Sequence, residues 1–312
     1  MTDTGEAGWS GLTPLMSGGG LGPEISAAVV EGMVREALAE DAPWGDVTTT
    51  AVVPPDVRAR AVLQTVSAGV LAGLPLVAEV FRQTDPAIRV SPLYAEGARM
   101  LAGDAVAIVT GPARGILTGE RVALNFVQRL SGIATLTARY VEAVAGTQAR
   151  IVDTRKTTPG MRLLQKYAVR MGGGANHRMS LSDAVMIKDN HIVAAGGIKA
   201  AVERARHSIP HTMTVTVECE TLQQVREALE AKADILLLDN MPLDTLREAV
   251  LLVAGRAITE ASGGITLANV AEVARTGVAC ISVGALTHSA PSLDMRLELS
   301  LMGPPASASE GY

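Results

Sequence analysis

Between residues 149 and 289 the sequence alternates short apolar runs with amphipathic stretches, six times over. The runs are "ARIVDT", "AVMIK", "MTVTVE", "DILLLD", "AITE" and "CISVG". Helical spacing lies between them at Gly160–Met171, Gly197–Ser208, Leu222–Ala231 and Leu243–Val253, and again at Leu267–Thr276. Repeated strand–helix units lead to a parallel sheet. Strands this apolar need cover on both faces, which the intervening helices supply. The pattern predicts an α/β fold, either an open doubly wound sheet or a barrel.

Each apolar run turns polar or glycine-rich at its carboxyl end. The first ends in Asp153-Thr154-Arg155-Lys156, the second in Lys188-Asp189-Asn190 and the third at Glu218. The fourth ends at Asp239-Asn240, the fifth at Ser262-Gly263-Gly264 and the sixth at Gly284. In barrels that rim carries the chemistry. One polar strand end is ordinary loop sequence, whereas six in a row describe a site.

The first half reads differently. A helix is expected at about Pro23–Glu40, broken by Pro43 and Gly45. Short extended segments punctuated by Gly and Pro run from Arg58 to Gly111. A helical region follows from about Ile116 to Ala145, with a break expected near Ser131-Gly132. Residues 1–22 hold seven glycines and little apolar periodicity, the signature of a disordered tail.

Composition removes several functions. The net charge is −5 and aromatics are only 3%. Neither a basic excess nor a stacking platform is present, so no nucleic-acid partner is expected. No apolar run reaches the roughly 18 residues of a membrane span, and no basic residue precedes Arg35 to form a secretory leader. Cys219 and Cys280 sit in apolar surroundings and read as buried structural thiols of a cytoplasmic protein.

Cations gather where the strand ends do. Arg155, Lys156, Arg162, Lys166, Arg170, Arg178 and Lys188 fall in one interval with a single acid, Asp183. Arg162, Lys166 and Arg170 lie four apart and suit a solvated or mouth-lining helix face. Arg155, Lys156, Arg178 and Lys188 lie at strand ends or beside Gly172–Gly174, and suit an anion site. The triple glycine allows a tight turn or a close approach to a ligand. His177 beside Arg178 suits carboxylate binding or proton transfer. His191, His207, His211 and His288 show no metal spacing and read as structural. "EASGGIT" brings a strand into a glycine turn with a helix expected near Thr266, a backbone phosphate site. Glu218 and Asp239, among so many cations, suit hydroxyls or Mg2+. The ligand implied is a multiply charged sugar phosphate.

The motifs "ERVALNFVQRLSGIAT", "DTRKTTPGMRLLQKYAVRMGGGANHRMSLSDAVMIKDNHI", "VECE", "LLLDNM" and "EASGGIT" resemble those of the quinolinate phosphoribosyltransferases. These are also called nicotinate-nucleotide pyrophosphorylases (carboxylating). The likeness extends over about residues 36–295. "VECE" departs from the valine common between the two acids, and the glycine-rich tail has no counterpart.

The resemblance implies an N-terminal α/β sandwich domain (23–130) and an open, incomplete α/β barrel with parallel strands (131–289). A segment at 290–302 would return to the first domain, ahead of a tail at 303–312. It implies conversion of quinolinate and phosphoribosyl pyrophosphate to nicotinate mononucleotide, pyrophosphate and CO2, with Mg2+. Lys156, Lys188, Glu218 and Asp239 would be catalytic. Arg155, His177, Arg178 and Lys188 would line the quinolinate and pyrophosphate side. Glu218 and Asp239 would face the ribose hydroxyls and Mg2+. Ser262, Gly263, Gly264, Gly284 and Ala285 would hold the 5-phosphate. Arg121 would enter from a neighbouring subunit of a homodimer or a higher even-numbered homo-oligomer; by sequence pattern alone it is a surface helix residue. The alternatives are a molybdenum-transport-linked or nicotinate-using phosphoribosyltransferase, or a non-catalytic anion-binding module. The presence of both Glu218 and Asp239 counts against the last.

Overall fold

The computed structural model describes residues 26–302; the expected tails at 1–22 and 303–312 lie outside the described residues. Helix α1 (Ala27–Asp41) starts where the Ser26 hydroxyl accepts the Val29 N–H, and it stops before Pro43. Helix α2 (Val47–Val52) is capped by the Asp46 carboxylate, which accepts the Thr49 N–H at 2.9 Å. Strand β1 (Arg58–Thr65) alternates outward Arg58 and Arg60 with buried Ala59, Ala61 and Leu63, the period of a sheet covered on one face. Strands β2 (Gly69–Val70), β3 (Arg89–Pro92), β4 (Arg99–Met100) and β5 (Ala105–Pro112) follow, with helix α3 (Leu74–Thr84) inserted after β2.

Helix α4 runs unbroken from Ala113 to Ala143. The break expected at Ser131-Gly132 does not occur. These small residues instead let neighbouring chain approach the helix. A β-carbon at Gly132 would stand 2.0 Å from the Pro291 carbonyl oxygen. The Ser131 hydroxyl accepts the Ala72 N–H at 3.0 Å. A glycine inside a helix costs roughly 1 kcal/mol against alanine, and close packing is the reason to carry it.

The second half holds β6 (Arg150–Val152), α5 (Arg162–Met171), β7 (Val185–Ile187), α6 (Asp189–Ala195), α7 (Ile198–Ser208) and β8 (Val215–Cys219). Then come α8 (Leu222–Glu230), β9 (Ile235–Asp239), α9 (Leu243–Val253), β10 (Ile258–Ser262), α10 (Val270–Ala274), β11 (Cys280–Ser282) and α11 (Ala285–His288). All six expected strands are present. Helix α6 was not foreseen, and α10 begins later than the sequence spacing suggested. The order across the sheet is β6-β11-β10-β9-β8-β7, and every pairing is parallel. β6 and β7 are edges, so the barrel is open between two strands that are successive in the chain.

The last strand, β12 (Met295–Leu301), crosses back to β1. The first sheet is therefore antiparallel with order β12-β1-β5-β3, and Ala59 stands opposite Leu301. α3 and α4 pack together, and α4 also touches this sheet, β6 and α5. One apolar core runs through both halves, from Val34, Phe81 and Leu130 to Leu164, Val217, Leu236 and Ile281. Among the described residues no helix is long and apolar enough to cross a membrane.

The glycine triplet closes part of the open edge. Ala175 bridges Val152 in parallel, donating its N–H to Ile151 at 2.8 Å and accepting that of Asp153 at 3.2 Å. Of the two expectations for Gly172–Gly174 the tight turn holds, and the triplet does not line the cavity described below. A β-carbon on Gly172 would lie 2.3 Å from the Ala134 carbonyl oxygen, and one on Gly174 would lie 2.8 Å from Thr137. Gly173 has φ +84°, a left-handed turn. The triplet presses the chain against α4 and delivers His177 and Arg178 to the strand ends.

Candidate active site

A cavity of about 690 Å³ opens at the carboxyl ends of the barrel strands. One wall comes from β6, from the segment after the glycine triplet and from β7. It presents Arg155, Lys156, His177, Arg178 and Lys188. The Arg178 guanidinium donates to the Ala184 carbonyl at 2.8 Å. Burial, and then the nearby charge of Arg155, push Arg178 below its ordinary pKa. Two guanidiniums facing one cavity oppose each other, and a bound anion relieves that opposition. Arg155 Nε is buried without a hydrogen-bond partner among the described residues.

The wall is held from behind. Lys166 and Asp153, both fully buried, form an ion pair. The row Arg162, Lys166, Arg170 is thus not a solvated face. Lys166 points inward, Arg162 bonds Thr157 Oγ1 at 3.0 Å and the Met179 carbonyl at 3.1 Å, and Arg170 lies 6.0 Å from the Tyr167 ring centre. Tyr167 in turn donates to Glu96, whose carboxylate caps the start of α3 through the Gly73 and Leu74 N–H groups. Burial pushes the Glu96 carboxyl up and the Tyr167 phenol up.

The opposite wall comes from β9, β10 and β11. It presents Asp239, Asn240, Ser262, Gly263, Gly264, Thr266, Gly284, Ala285 and His288. Gly263 (φ +90°) and Gly264 (φ +60°) take left-handed conformations. A β-carbon on Gly263 would meet Asn240 Oδ1 at 2.1 Å. One on Gly284 would stand 3.0 Å from Lys156 Cδ and 3.2 Å from His288 Nε2. No helix begins at Thr266. The Thr266 N–H is taken by Asn269 Oδ1 at 2.8 Å, and α10 starts only at Val270. Any phosphate-binding groups at Ser262–Gly264 are therefore loop amides, whereas Gly284 and Ala285 stand at the start of the short helix α11.

Twelve of the thirteen expected site residues fall at or next to this cavity. Lys156, Lys188, Asp239, Arg155, His177, Arg178, Ser262, Gly263, Gly264, Gly284 and Ala285 line it. Glu218 stands behind Lys188 as its ion-pair partner, with its side chain 8% exposed. Arg121 does not line it; it lies exposed on α4.

Glu260 is not among the residues expected from sequence; it lies inside β10 rather than at its end, lines the cavity and is almost wholly buried. An acid within a buried parallel strand was the available signal, since such groups are seldom buried unpaired. His288, structural by its sequence spacing, also lines the cavity. The spacing from Gly284, one helical turn, was legible. Cys219 is buried and Cys280 half-buried, both free; burial pushes their thiols up to about 12 and about 11.

A parallel open barrel with cations on one side of its mouth and glycine turns on the other defines a phosphate-handling α/β-barrel protein. Comparison with known proteins narrows the class. Residues 46–131 match the quinolinate phosphoribosyl transferase N-terminal domain, and residues 133–298 match the C-terminal domain of the same family. The chain belongs to the quinolinate phosphoribosyltransferase family. It is 44% identical over 274 residues to a probable nicotinate-nucleotide pyrophosphorylase [carboxylating] of Synechocystis, covering 87% of this chain and 92% of that one. A Bacillus subtilis protein of the same description is 44% identical over 262 residues, covering 84% and 90%. The crystal structure of NadC from Streptococcus pyogenes superposes with a TM-score of 0.87 at 42% identity, covering 89% of this chain and 99% of that one.

Proposed function

We propose that the protein converts quinolinate and phosphoribosyl pyrophosphate to nicotinate mononucleotide, pyrophosphate and CO2, a step of de novo NAD synthesis. Family membership supports the reaction. The observation that carries its placement is the division of one cavity into a cationic wall and a glycine wall. Quinolinate carries two carboxylates, which suit the forks of Arg155 and Arg178. Lys156 and Lys188 face the pyrophosphate. The turns at Ser262–Gly264 and Gly284-Ala285 take the 5-phosphate, and Asp239 faces the ribose hydroxyls, with Glu218 set behind Lys188 on the same side.

The carboxylates that would hold Mg2+ are Asp239 and Glu218. No cluster of three or more metal-ligating side chains occurs among the described residues. That donor set fits an ion held largely by substrate phosphates and water, as Mg2+ typically is. Bound there, the ion would neutralise pyrophosphate charge. The chain's own part is electrostatic. Fixed cations stabilise the charge of the departing pyrophosphate while the pyridine nitrogen bonds to the ribose carbon. The ring becomes cationic, which stabilises the electron pair left on its carbon when the adjacent carboxylate departs as CO2, and that pair then takes up a proton from water. No side chain need bond covalently to the substrate.

Arg121 serves the site of a neighbouring copy in this reading. Mixed dimers of Arg121→Ala and Arg178→Ala subunits would then gather both lesions in one site and leave the other intact. With random mixing about a quarter of the parent activity should return on co-expression. Mixed dimers with no more activity than either parent variant would remove Arg121 from the neighbour's site. The reaction itself is tested by release of CO2 and formation of nicotinate mononucleotide. Turnover with nicotinate but not quinolinate would overturn it.

A further inference from the structure

Three of the four hydrogen-bonding groups of His177 are bonded within the protein, and the fourth faces a buried acid. Its N–H donates to Asp153 Oδ1 at 2.9 Å, and its carbonyl accepts from Lys166 Nζ at 2.9 Å. Its ring Nδ1 accepts the Arg178 N–H at 2.6 Å. Its Nε2 faces Glu260 Oε2 at 3.3 Å. Because Nδ1 accepts there, the ring proton belongs on Nε2, which faces the buried Glu260 carboxylate. Asn176 completes the clamp by donating its amide to Asp153 Oδ2 at 2.6 Å and to the Lys166 carbonyl at 2.8 Å. From these contacts we infer that Asp153, Lys166 and Glu260 are positioning residues, which fix His177 at main chain and ring and so set where the adjoining Arg178 meets an anionic ligand.

Three features support a positioning role over a purely stabilising one. First, burial pushes Asp153 up and Lys166 down against their mutual attraction. A buried pair of this kind is a poor source of stability compared with apolar side chains of the same size. Second, the clamp acts at the open edge between β6 and β7, where no neighbouring strand ladder fixes the chain after Ala175. Third, the same helix steadies the other cationic turn. Gln165, fully buried and next to Lys166, accepts the Thr158 N–H at 3.0 Å and donates to Thr158 Oγ1 at 3.0 Å. α5 thus ties the turn after Arg155-Lys156 and the segment His177-Arg178 to one rigid element.

The inference rests on the proposed reaction only in taking a dicarboxylate as the ligand of Arg178. The test uses the full chain and two independent readouts. The first is calorimetric binding of quinolinate and, separately, of phosphoribosyl pyrophosphate with Mg2+. The neutral double variant Asp153→Asn/Lys166→Gln should weaken quinolinate binding about ten- to a hundredfold, as expected for a misplacement of the order of 1 Å. Phosphoribosyl pyrophosphate binding should change less than about threefold, since its 5-phosphate meets the glycine wall and Lys156 and Lys188 on its pyrophosphate side are held through Gln165 and Glu218 rather than through Asp153 and Lys166. Unchanged quinolinate binding in the folded double variant overturns the clamp, and so does equal loss for both ligands.

The second readout is the 15N imidazole spectrum of His177, which needs no ligand. The parent should show the Nε2-protonated tautomer. Glu260→Gln, which keeps an acceptor oxygen, should preserve it, and Glu260→Ala should lose it. An Nδ1-protonated ring in the parent overturns the inference even if the double variant does not fold. A parent that binds no quinolinate yet shows the expected spectra would sink the proposed substrate and leave the clamp standing.

Discussion

The two walls of the cavity are built by different means. The glycine wall is a backbone structure. Its shape follows from left-handed turns at Gly263 and Gly264 and from a close contact that only glycine permits beside Asn240. The cationic wall is a side-chain structure. Its residues stand at the edges of an open sheet and are held by long-range partners, Asp153 to Lys166 and Tyr167 to Glu96. A backbone wall fails locally when one residue gains a β-carbon. A side-chain wall fails through its supports, at positions that touch no ligand.

The largest effect should come from behind the cationic wall. Lys166→Met leaves Asp153 buried and charged without its partner, a loss of roughly 3–5 kcal/mol. Chemical denaturation of the purified variant measures it. A midpoint within error of the parent would show that the support is dispensable and erase the contrast between the walls.

Next comes Arg178→Ala, which removes a cation from the wall itself. Truncating one member of a desolvated charge pair costs roughly 2–5 kcal/mol, about thirtyfold to several thousandfold in quinolinate kcat/KM. The denaturation midpoint should stay close to the parent's. Near-normal quinolinate affinity would place Arg178 outside the site.

On the opposite wall, Gly263→Ala forces a β-carbon towards Asn240 at a left-handed φ, a strain of roughly 1–3 kcal/mol. It should raise the KM for phosphoribosyl pyrophosphate more than that for quinolinate. Gly264→Ala, with φ +60° and open space around it, should cost only about 1 kcal/mol. If the two alanine variants behave alike, the close contact with Asn240 is not what shapes this wall.

The smallest effect concerns the turn that carries Arg178. Asp183 accepts the Met179 and Ser180 N–H groups at 2.6 and 2.7 Å. Burial works to raise its carboxyl, but these bonds outweigh it and hold the group below the ordinary range. A lowered folded pKa contributes stability that is present above the unfolded value and lost as pH falls through the folded one. Hydrogen exchange in residues 178–184 should therefore quicken only at strongly acidic pH. Asp183→Ala should quicken it at neutral pH by about 1 kcal/mol of opening free energy.

The division between the walls also marks how far the sequence could be read. The six parallel strands were legible because apolar runs and helical spacing are local signals. The glycine wall was legible because Ser262-Gly263-Gly264 ends such a run. The cations at Arg155, Lys156, Arg178 and Lys188 were legible as a cluster. Their supports were not. Lys166 has the spacing of a solvated face, and only the fold turns it towards Asp153. Gly132 read as a helix break because its neighbour, Pro291, comes from a distant part of the chain.

The sequence by itself determined the strand–helix alternation, the polar strand ends and the motifs of the family, because each depends on residues close together in the chain. Only the tertiary structure decided which strands became the open edges, that the glycine triplet faces α4, and that Glu260 and His288 enter the cavity. It alone turned Lys166 inward and placed Arg121 outside this cavity. Those outcomes depend on pairing and packing between segments far apart in sequence, and no local pattern encodes which distant neighbour a buried polar group will meet.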